Sequence, residues 1–183
     1  MITYDYPPLV EQDMVPKFIR GGSFGRVYQV SRCADLVAKV PLLEDELSTL
    51  VRECAIHRML FENGISVPQP KRMYALRWDG RSKELHRQDK DSLWYLDKNI
   101  LPGFVMERIR GFRLNEFREI AEVDEYDRAV ELRDLELTRA RERGFCSIDV
   151  CSENVLYIPN QNKVVLIDFE CWEHPDLERL VRK

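Results

Sequence analysis

The sequence predicts an α+β protein in which a β-sheet precedes a helical region. Three observations indicate this class. β-Prone segments recur in the first 110 residues, helical periodicity extends over residues 114–143, and a hairpin signal lies at residues 155–167. Strands and helices that are segregated along the chain are typical of α+β folds. The length of 183 residues suits one domain or two small lobes.

The composition excludes several broad classes of function. The apolar fraction is 44% and the charged fraction 33%, which favours a soluble globular protein over a disordered one. No apolar run approaches the roughly 20 residues of a spanning helix, and residues 1–6 do not resemble a secretory signal. The net charge is −4 and the basic residues are interspersed with acidic ones, so nucleic-acid binding is not indicated. We expect a cytoplasmic or nuclear protein that is not secreted and has no membrane or nucleic-acid partner.

Cysteine spacing gives no sign of a disulfide framework. The five cysteines form no C-x-x-C pair, and we interpret them as reduced intracellular thiols, several of them buried in the core. A zinc site is the alternative, although the spacing of its four candidate ligands fits no standard zinc finger. Those ligands are Cys146, Cys151, Cys171 and His174.

The first elements are strands followed by a helix. Residues 17–40 are extended around a glycine-rich turn, and the apolar run Leu36–Val40 ends at Pro41. A helix is predicted over residues 44–63, because apolar residues recur there at helical spacing and acidic residues open it. Gly64 stands at the position where a helix C′ residue belongs.

Two more extended segments complete the first part of the chain. They are predicted at residues 72–78 and 103–109, and the charged stretch 79–99 between them is a solvated insertion or a long hairpin. Residues 114–143 then predict one short and one long helix, the long one ending at Gly144.

A β-hairpin follows the predicted helices. The aliphatic runs 155–158 and 164–167 are joined by Pro159-Asn160-Gln161-Asn162-Lys163, which is a turn sequence. One short helical stretch, residues 175–182, comes after the hairpin.

A glycine-rich turn at Arg20–Val27 is the first candidate functional motif. Its glycines allow the backbone to approach a polyphosphate closely. A Walker loop or a dinucleotide-binding loop runs directly into a helix, whereas a strand follows here. In isolation the pattern is that of an ordinary turn, but this context predicts a flap over phosphates.

Lys39 is the second candidate, because it lies in the middle of an apolar strand. The alternative is an edge position with a solvated ammonium group. A buried ammonium needs an anionic partner, and Glu53 on the following helix offers one. Glu46 is the rival partner, and we prefer Glu53 because it is central in the helix.

The third candidate is a group of oxygen ligands around the hairpin. Asp149 and Asn154 lie five residues apart before the first strand, and Asp168 ends the second strand. An aspartate directly after four aliphatic residues is costly to bury unless it meets a cation. Such hard oxygen ligands suit Mg²⁺. The alternative is that Asp168 caps a turn and Asn154 holds a loop.

Taken in order, these features resemble the signature of the protein kinase superfamily. The shared elements are a glycine-rich loop, a strand lysine, a helix glutamate, a D-x-x-x-x-N loop and an aspartate in a D-F-G-like position. The resemblance implies a two-lobed fold, with residues 1–110 as the sheet lobe ending in the hinge and residues 111–183 as a reduced helical lobe.

The resemblance also implies a site for ATP and Mg²⁺. Asp149 would be the catalytic base, Lys39 would contact the α/β-phosphates, and Asn154 and Asp168 would bind the metal. Met106 would be the gatekeeper, the backbone of Glu107 and Ile109 would bond the adenine edge, and Leu156 would form the floor under the base. The nucleotide-binding set would be Gly22, Ser23, Phe24, Gly25, Val27, Val37, Lys39, Glu53, Met106, Glu107, Ile109 and Leu156.

Four positions depart from the kinase pattern. Arg20 replaces the first loop glycine, Ser147 replaces the histidine of H-R-D, and Glu170 replaces the glycine of D-F-G. Cys151 stands where a lysine is usual, and this loss is similar to RIO kinases and aminoglycoside phosphotransferases.

The short ending gives a further expectation. Thirteen residues follow Glu170, so we expect a truncated second lobe without the usual peptide-docking surface. An apolar face around Tyr126, Val130 and Leu137 would then be open, and a homodimer or a protein partner would cover it.

Three functions are compatible with these residues. The first is Mg²⁺-dependent transfer of the ATP γ-phosphate to an unidentified acceptor, either a protein Ser/Thr or a small molecule. The second is a pseudokinase that binds nucleotide, or only a protein partner, without turnover. The third is an unrelated α+β domain that matches the pattern by accident.

Overall fold

The computed structural model of the protein describes residues 12–14, 17–21, 25–30, 33–41, 47–78, 100–147 and 150–181. It is a mixed α+β fold, as predicted. The predicted insertion at residues 79–99 lies outside the described residues.

The chain divides into two compact units. The sheet unit consists of Met1–Val51 and Lys71–Arg108, and the hairpin unit consists of Arg52–Pro70 and Ile109–Lys183. The sequence suggested a boundary after residue 110, and the units divide after Arg108. Residues 52–62 of the predicted first helix belong to the hairpin unit.

Within the described residues, six strands form the sheet of the sheet unit, in the order β1-β5-β6-β4-β3-β2. β1 runs parallel to β5, whereas the pairs β2–β3, β3–β4 and β4–β6 are antiparallel. The strands are β1 (Gln12–Met14), β2 (Lys17–Gly21), β3 (Arg26–Gln29), β4 (Leu36–Val40), β5 (Pro70–Trp78) and β6 (Ile100–Glu107).

One face of this sheet is tightly packed. Tyr28 lies opposite Ala38, which lies opposite Val105 on the next strand, and all three side chains are buried. Alternation along each strand places the neighbouring residues on the other face. The predicted extended segments within this unit are therefore confirmed as strands of one sheet.

Helix α1 (Leu47–Glu62) ends as the sequence predicted. Gly64 has a φ of +71°, a conformation that glycine adopts at little cost. The N–H of Ile65 donates to the Leu60 carbonyl oxygen and the N–H of Gly64 to that of Phe61, each at 3.0 Å. This bond pair is the Schellman motif. Residues 42–46, where the predicted helix begins, lie outside the described residues.

Helices and short strands build the hairpin unit. The predicted short and long helices and the predicted hairpin are all present. The strands form two small sheets, of order β10-β9-β7 and β11-β8. The elements are β7 (Phe112–Arg113), α2 (Leu114–Phe117), α3 (Val123–Glu142), β8 (Cys146–Ser147), β9 (Val155–Ile158), β10 (Lys163–Leu166), β11 (Trp172–Glu173) and α4 (Leu177–Val181).

The apolar face of α3 is covered, which corrects the expectation of an open face. Leu137 is buried, and Tyr126 and Val130 are partly buried against the same core cluster. Strand β10 packs against α3, and residues of both elements belong to the same core cluster. The expected homodimer or protein partner stays a prediction.

A loop at Ser66 links three distant parts of the hairpin unit. The Ser66 hydroxyl donates to the Val164 carbonyl oxygen at 2.5 Å. The carbonyl oxygen of Ser66 accepts a hydrogen bond from Leu166 N–H at 2.8 Å. Its N–H donates to Glu136 at 3.0 Å, and Glu136 pairs with Arg139 at 2.6 Å. The segment after α1 is thus attached to both the hairpin and α3.

The cysteines are less buried than predicted. All five lie in the described residues and none forms a disulfide, but Cys54 alone is fully buried, while Cys146 and Cys171 are exposed. The pKa of the Cys54 thiol is raised to about 11, mainly because the thiol is buried. The nearby Arg58 charge lowers this pKa, and the Glu53 charge raises it. Cys54 is therefore an unreactive core residue.

Among the described residues, the helices are too short or too polar to traverse a lipid bilayer.

Candidate functional site

In the sheet unit, strand register brings four predicted nucleotide-binding side chains to one face. Val27 lies opposite Lys39, and Val37 lies opposite Met106. Directly opposed residues share a face, and residues two apart on one strand share it as well. Lys39 is only 7% exposed, so the solvated-edge alternative for this lysine is wrong.

Gly25 packs directly over this lysine. A Cβ at position 25 would lie 2.9 Å from the Val40 carbonyl oxygen and 3.2 Å from Lys39 Cε. The backbone of Gly25 therefore approaches the Val40 carbonyl oxygen more closely than a residue with a Cβ would allow, and the Lys39 side chain lies beside it. Gly22, Ser23 and Phe24 lie outside the described residues, and their contact with phosphates stays a prediction.

The predicted hinge begins at the end of β6. Arg108 N–H donates to the Asp35 carbonyl oxygen at 2.8 Å, and Glu107 lies opposite Leu36. Because backbone polar groups alternate in direction along an extended chain, those of Glu107 point away from β4. Ile109 begins the hairpin unit, and adenine recognition stays a prediction.

In the hairpin unit, the β9–β10 pairing brings the predicted metal ligands to the same end of the hairpin. Val155 lies opposite Leu166, and the next bond runs from Ile167 N–H to the Asn154 carbonyl oxygen at 2.9 Å. Asp168 follows immediately. Asp149, the predicted base, lies outside the described residues.

Asp168 differs from its prediction in one respect. Its side chain is exposed, whereas the sequence argument assumed a buried carboxylate. The cost of burial therefore gives no reason to expect a cation at Asp168. Its φ of +66° instead places it in the left-handed region, which is uncommon for residues other than glycine. Such conformations are concentrated at functional sites.

Three carboxylates converge beside this turn. One oxygen from each of Glu53, Asp168 and Glu170 lies within 4.8 Å of the others. Like charges at this spacing repel unless a proton or a cation neutralises them. The sequence analysis noted Glu170 only as a departure from the kinase pattern. Its position two residues after Asp168 was the signal that could have identified it as a further ligand. We call these three residues the acidic triad.

Glu53 thus has a neighbourhood that sequence reasoning did not predict. It is 3% exposed, and Phe169 N–H donates to its Oε1 at 3.3 Å. Its predicted partner Lys39 belongs to the sheet unit, so the Lys39–Glu53 pair stays a prediction. The rival Glu46 lies outside the described residues.

His57, one turn after Glu53, packs against the residue next to Asp168, a contact that the sequence did not reveal. It is 1% exposed, and its ring contacts Phe169 edge-on with centroids 4.8 Å apart. Its Nε2 donates to the Pro68 carbonyl oxygen at 2.6 Å. The triad is therefore supported by packing between α1 and the residue next to Asp168.

The chemistry of these oxygen donors fits a hard divalent cation. Mg²⁺ is usually held by one or two carboxylates, with phosphate oxygens and waters completing its octahedron. Asp168 and Glu170 are accessible for this role, since one is exposed and the other half-buried. No cysteine belongs to the group of potential ligands found in the described residues, which leaves the zinc alternative without support.

Two other predicted positions have structural surroundings. Leu156 is half-buried and lies opposite Val165 and Arg113. Ser147, at the place of the kinase histidine, pairs with Trp172. Its hydroxyl is buried and makes no hydrogen bond with any described residue.

No family model matches the chain, and no curated protein matches it in sequence.

Proposed function

We propose that the protein is an ATP-binding, protein-kinase-like phosphotransferase with a reduced second lobe. In this proposal it transfers the ATP γ-phosphate to an acceptor that the sequence does not identify. The observation that carries the proposal is the acidic triad, which lies at the turn directly after the hairpin that also bears Asn154. Clustered oxygen ligands of this kind are what Mg²⁺-dependent phosphoryl transfer requires.

The sheet unit supplies separate support. Gly21 ends β2 and Gly25 directly precedes β3, the next strand carries the buried Lys39, and the helix with Glu53 follows. This is the order that the kinase signature has, with its glycine-rich loop, strand lysine and helix glutamate. Val27, Val37 and Met106 share the face of Lys39, which suits an apolar purine base beside a phosphate-binding cation.

The proposed roles divide between the units. Lys39 would hold the α/β-phosphates. Asp168 and Glu170 of the acidic triad, together with the predicted ligand Asn154, would hold Mg²⁺, which neutralises phosphate charge when it is bound. Asp149 would accept the acceptor's hydroxyl proton. The acceptor oxygen bonds to the γ-phosphorus as the bond to the β,γ-bridging oxygen breaks, and ADP leaves.

A single-turnover assay with γ-labelled ATP tests turnover. We expect the wild type to release or transfer label, and Asp149→Ala and Asp168→Ala to be slower by at least about 100-fold, a typical cost of removing a transition-state contact. Asp127→Ala is the matched control, because Asp127 is an exposed acid on α3 and is not a member of the triad. Equal rates in all four proteins would contradict the proposal.

A pseudokinase is the second candidate, and Ser147 favours it. This residue replaces the kinase histidine, and its buried hydroxyl has no partner among the described residues. A pseudokinase with an intact nucleotide site predicts that ATP with Mg²⁺ raises the melting temperature while single-turnover rates stay at the level of Asp149→Ala. Stabilisation together with turnover would exclude it.

A further inference from the structure

A polar cavity in the hairpin unit lies apart from the acidic triad. Its volume is about 410 Å³, within the range of small-molecule sites. Helix α2, the turn after it, helix α3 and the short helical turn before β9 contribute the walls. The lining residues are Asn115, Arg118, Glu119, Tyr126 and Ser152.

The polar atoms at the ends of these side chains are not bonded within the fold. Within the described part of the chain, the structure assigns none of the five a side-chain hydrogen bond or ion pair. The Oδ1 atom of Asn115 is buried and has no donor. Buried polar atoms without partners are rare in native proteins and call for a physical explanation. A ligand that bonds this amide would provide one.

The types of side chain define the ligand chemistry. The Arg118 guanidinium forms a fork that matches a carboxylate or phosphate, and it is exposed and does not pair with the adjacent Glu119. Glu119 can accept bonds from hydroxyl groups, and the hydroxyls of Tyr126 and Ser152 can donate or accept. Purely apolar ligands would leave all of these groups unpaired.

We propose that this cavity binds a small hydroxylated anion, in which a carboxylate or phosphate contacts Arg118 and hydroxyl groups contact the remaining lining residues. Ser152 stands two residues before Asn154 in the same helical turn. The cavity thus shares a wall with the loop that carries a proposed metal ligand. Its assignment as the acceptor pocket rests on the proposed function, whereas anion binding does not.

Titration without ATP tests the pocket directly. The probes are D-glycerate, glycerol 3-phosphate and D-gluconate, with glycerol as the uncharged control, followed by nitrogen-15 NMR of the full chain. We expect saturable shifts of the amide signals of Arg118, Glu119 and Ser152 with at least one anion and none with glycerol. Absence of saturable shifts with all three anions would overturn the proposal.

Variants separate this pocket from general anion attraction. Arg118→Gln should lower the affinity for the anion that binds by at least about tenfold, equivalent to the loss of one charged contact. Tyr126→Phe should lower this affinity less. Arg141→Gln is the matched control, because Arg141 is an exposed arginine of α3 that does not line the cavity. Equal weakening by Arg118→Gln and Arg141→Gln would overturn the proposal.

The acceptor role has its own readout. If the proposed function is correct, the anion that binds should increase label transfer from ATP in wild type but not in Arg118→Gln. Anion binding without any ATP turnover would remove the acceptor role and leave the pocket intact. ATP turnover with no anion binding would remove the pocket and leave the proposed function intact.

Discussion

The two units assemble their candidate functional residues by different physical means. In the sheet unit, Val27, Val37 and Lys39 reach one face because adjacent strands pair in register. In the hairpin unit, Glu53 and Asp168 are more than 100 residues apart in sequence and meet through a helix, a loop and a hairpin. Local periodicity determines the first arrangement, whereas side-chain packing and long-range hydrogen bonds determine the second.

This difference predicts where mutation should disturb each group. The acidic triad should depend on core packing and on the Ser66 loop, neither of which contains a triad residue. The sheet face should depend mainly on the strands that form it.

The largest effect is expected at Phe169. Its ring is 1% exposed and contacts both His57 and Trp172. Phe169→Ala should lower the free energy of unfolding by about 3–5 kcal/mol, the usual range for a buried phenylalanine, as measured by urea unfolding. The control Phe112→Ala removes a ring that is 44% exposed and should cost far less. Equal costs would mean that Phe169 does not organise the core of the hairpin unit.

An intermediate effect is expected at Glu136. Glu136→Ala would leave the Ser66 N–H and the Arg139 guanidinium without their acceptor, so we expect a loss of about 1–3 kcal/mol in urea unfolding. Glu131→Ala on the same helix breaks an exposed pair with Arg128 and should cost below about 0.5 kcal/mol. If the two substitutions cost the same, the Ser66 loop does not hold the hairpin unit together.

A smaller difference is expected between two helix-ending glycines. Gly64 and Gly144 have φ values of +71° and +85°, so alanine at either position should cost about 1 kcal/mol from backbone strain. At Gly144 the added Cβ would also lie 3.3 Å from His174 Nε2, whereas nothing lies within 4 Å at Gly64. Thermal unfolding should therefore show Gly144→Ala to be the less stable variant. The reverse order would show that His174 does not restrict this turn.

The smallest effect at neutral pH is expected at Cys54. Its pKa is raised from 9.0 to about 11, so the unfolded chain loses the thiol proton at lower pH than the folded protein does. Stability should be unaffected below pH 8 and should fall by about 1 kcal/mol between pH 9 and 10. Cys54→Ser, whose hydroxyl does not titrate there, should lack this component. If the stability of both proteins falls equally between pH 9 and 10, the Cys54 thiol does not contribute to the pH dependence.

Much of the fold follows from sequence patterns. The strand at Leu36–Val40, the end of α1 at Gly64 and the hairpin around residues 159–163 were all predicted and are present. Each depends on a local cause, which is an alternating or aliphatic run, a left-handed glycine or a turn sequence. The same kind of evidence identified Lys39 and Asp168 as residues of interest.

The missed features are long-range. The contact of His57 with Phe169 and the bonds of Ser66 to Glu136 and Val164 join segments far apart in the chain. No periodicity or spacing encodes such contacts, since they depend on how helices and hairpins pack. The cover on Tyr126 and Val130 was missed for the same reason, because a core cluster built from several distant elements supplies it.

Calorimetric titration of ATP tests the central claim most directly. The titration is made into wild type with and without Mg²⁺, and into Asp168→Asn with Mg²⁺, a substitution that keeps the shape of the side chain and removes one charge. We predict saturable binding to wild type that weakens at least about tenfold when either Mg²⁺ or the Asp168 carboxylate is absent. No ATP binding, or binding of equal strength in all three titrations, would contradict the account.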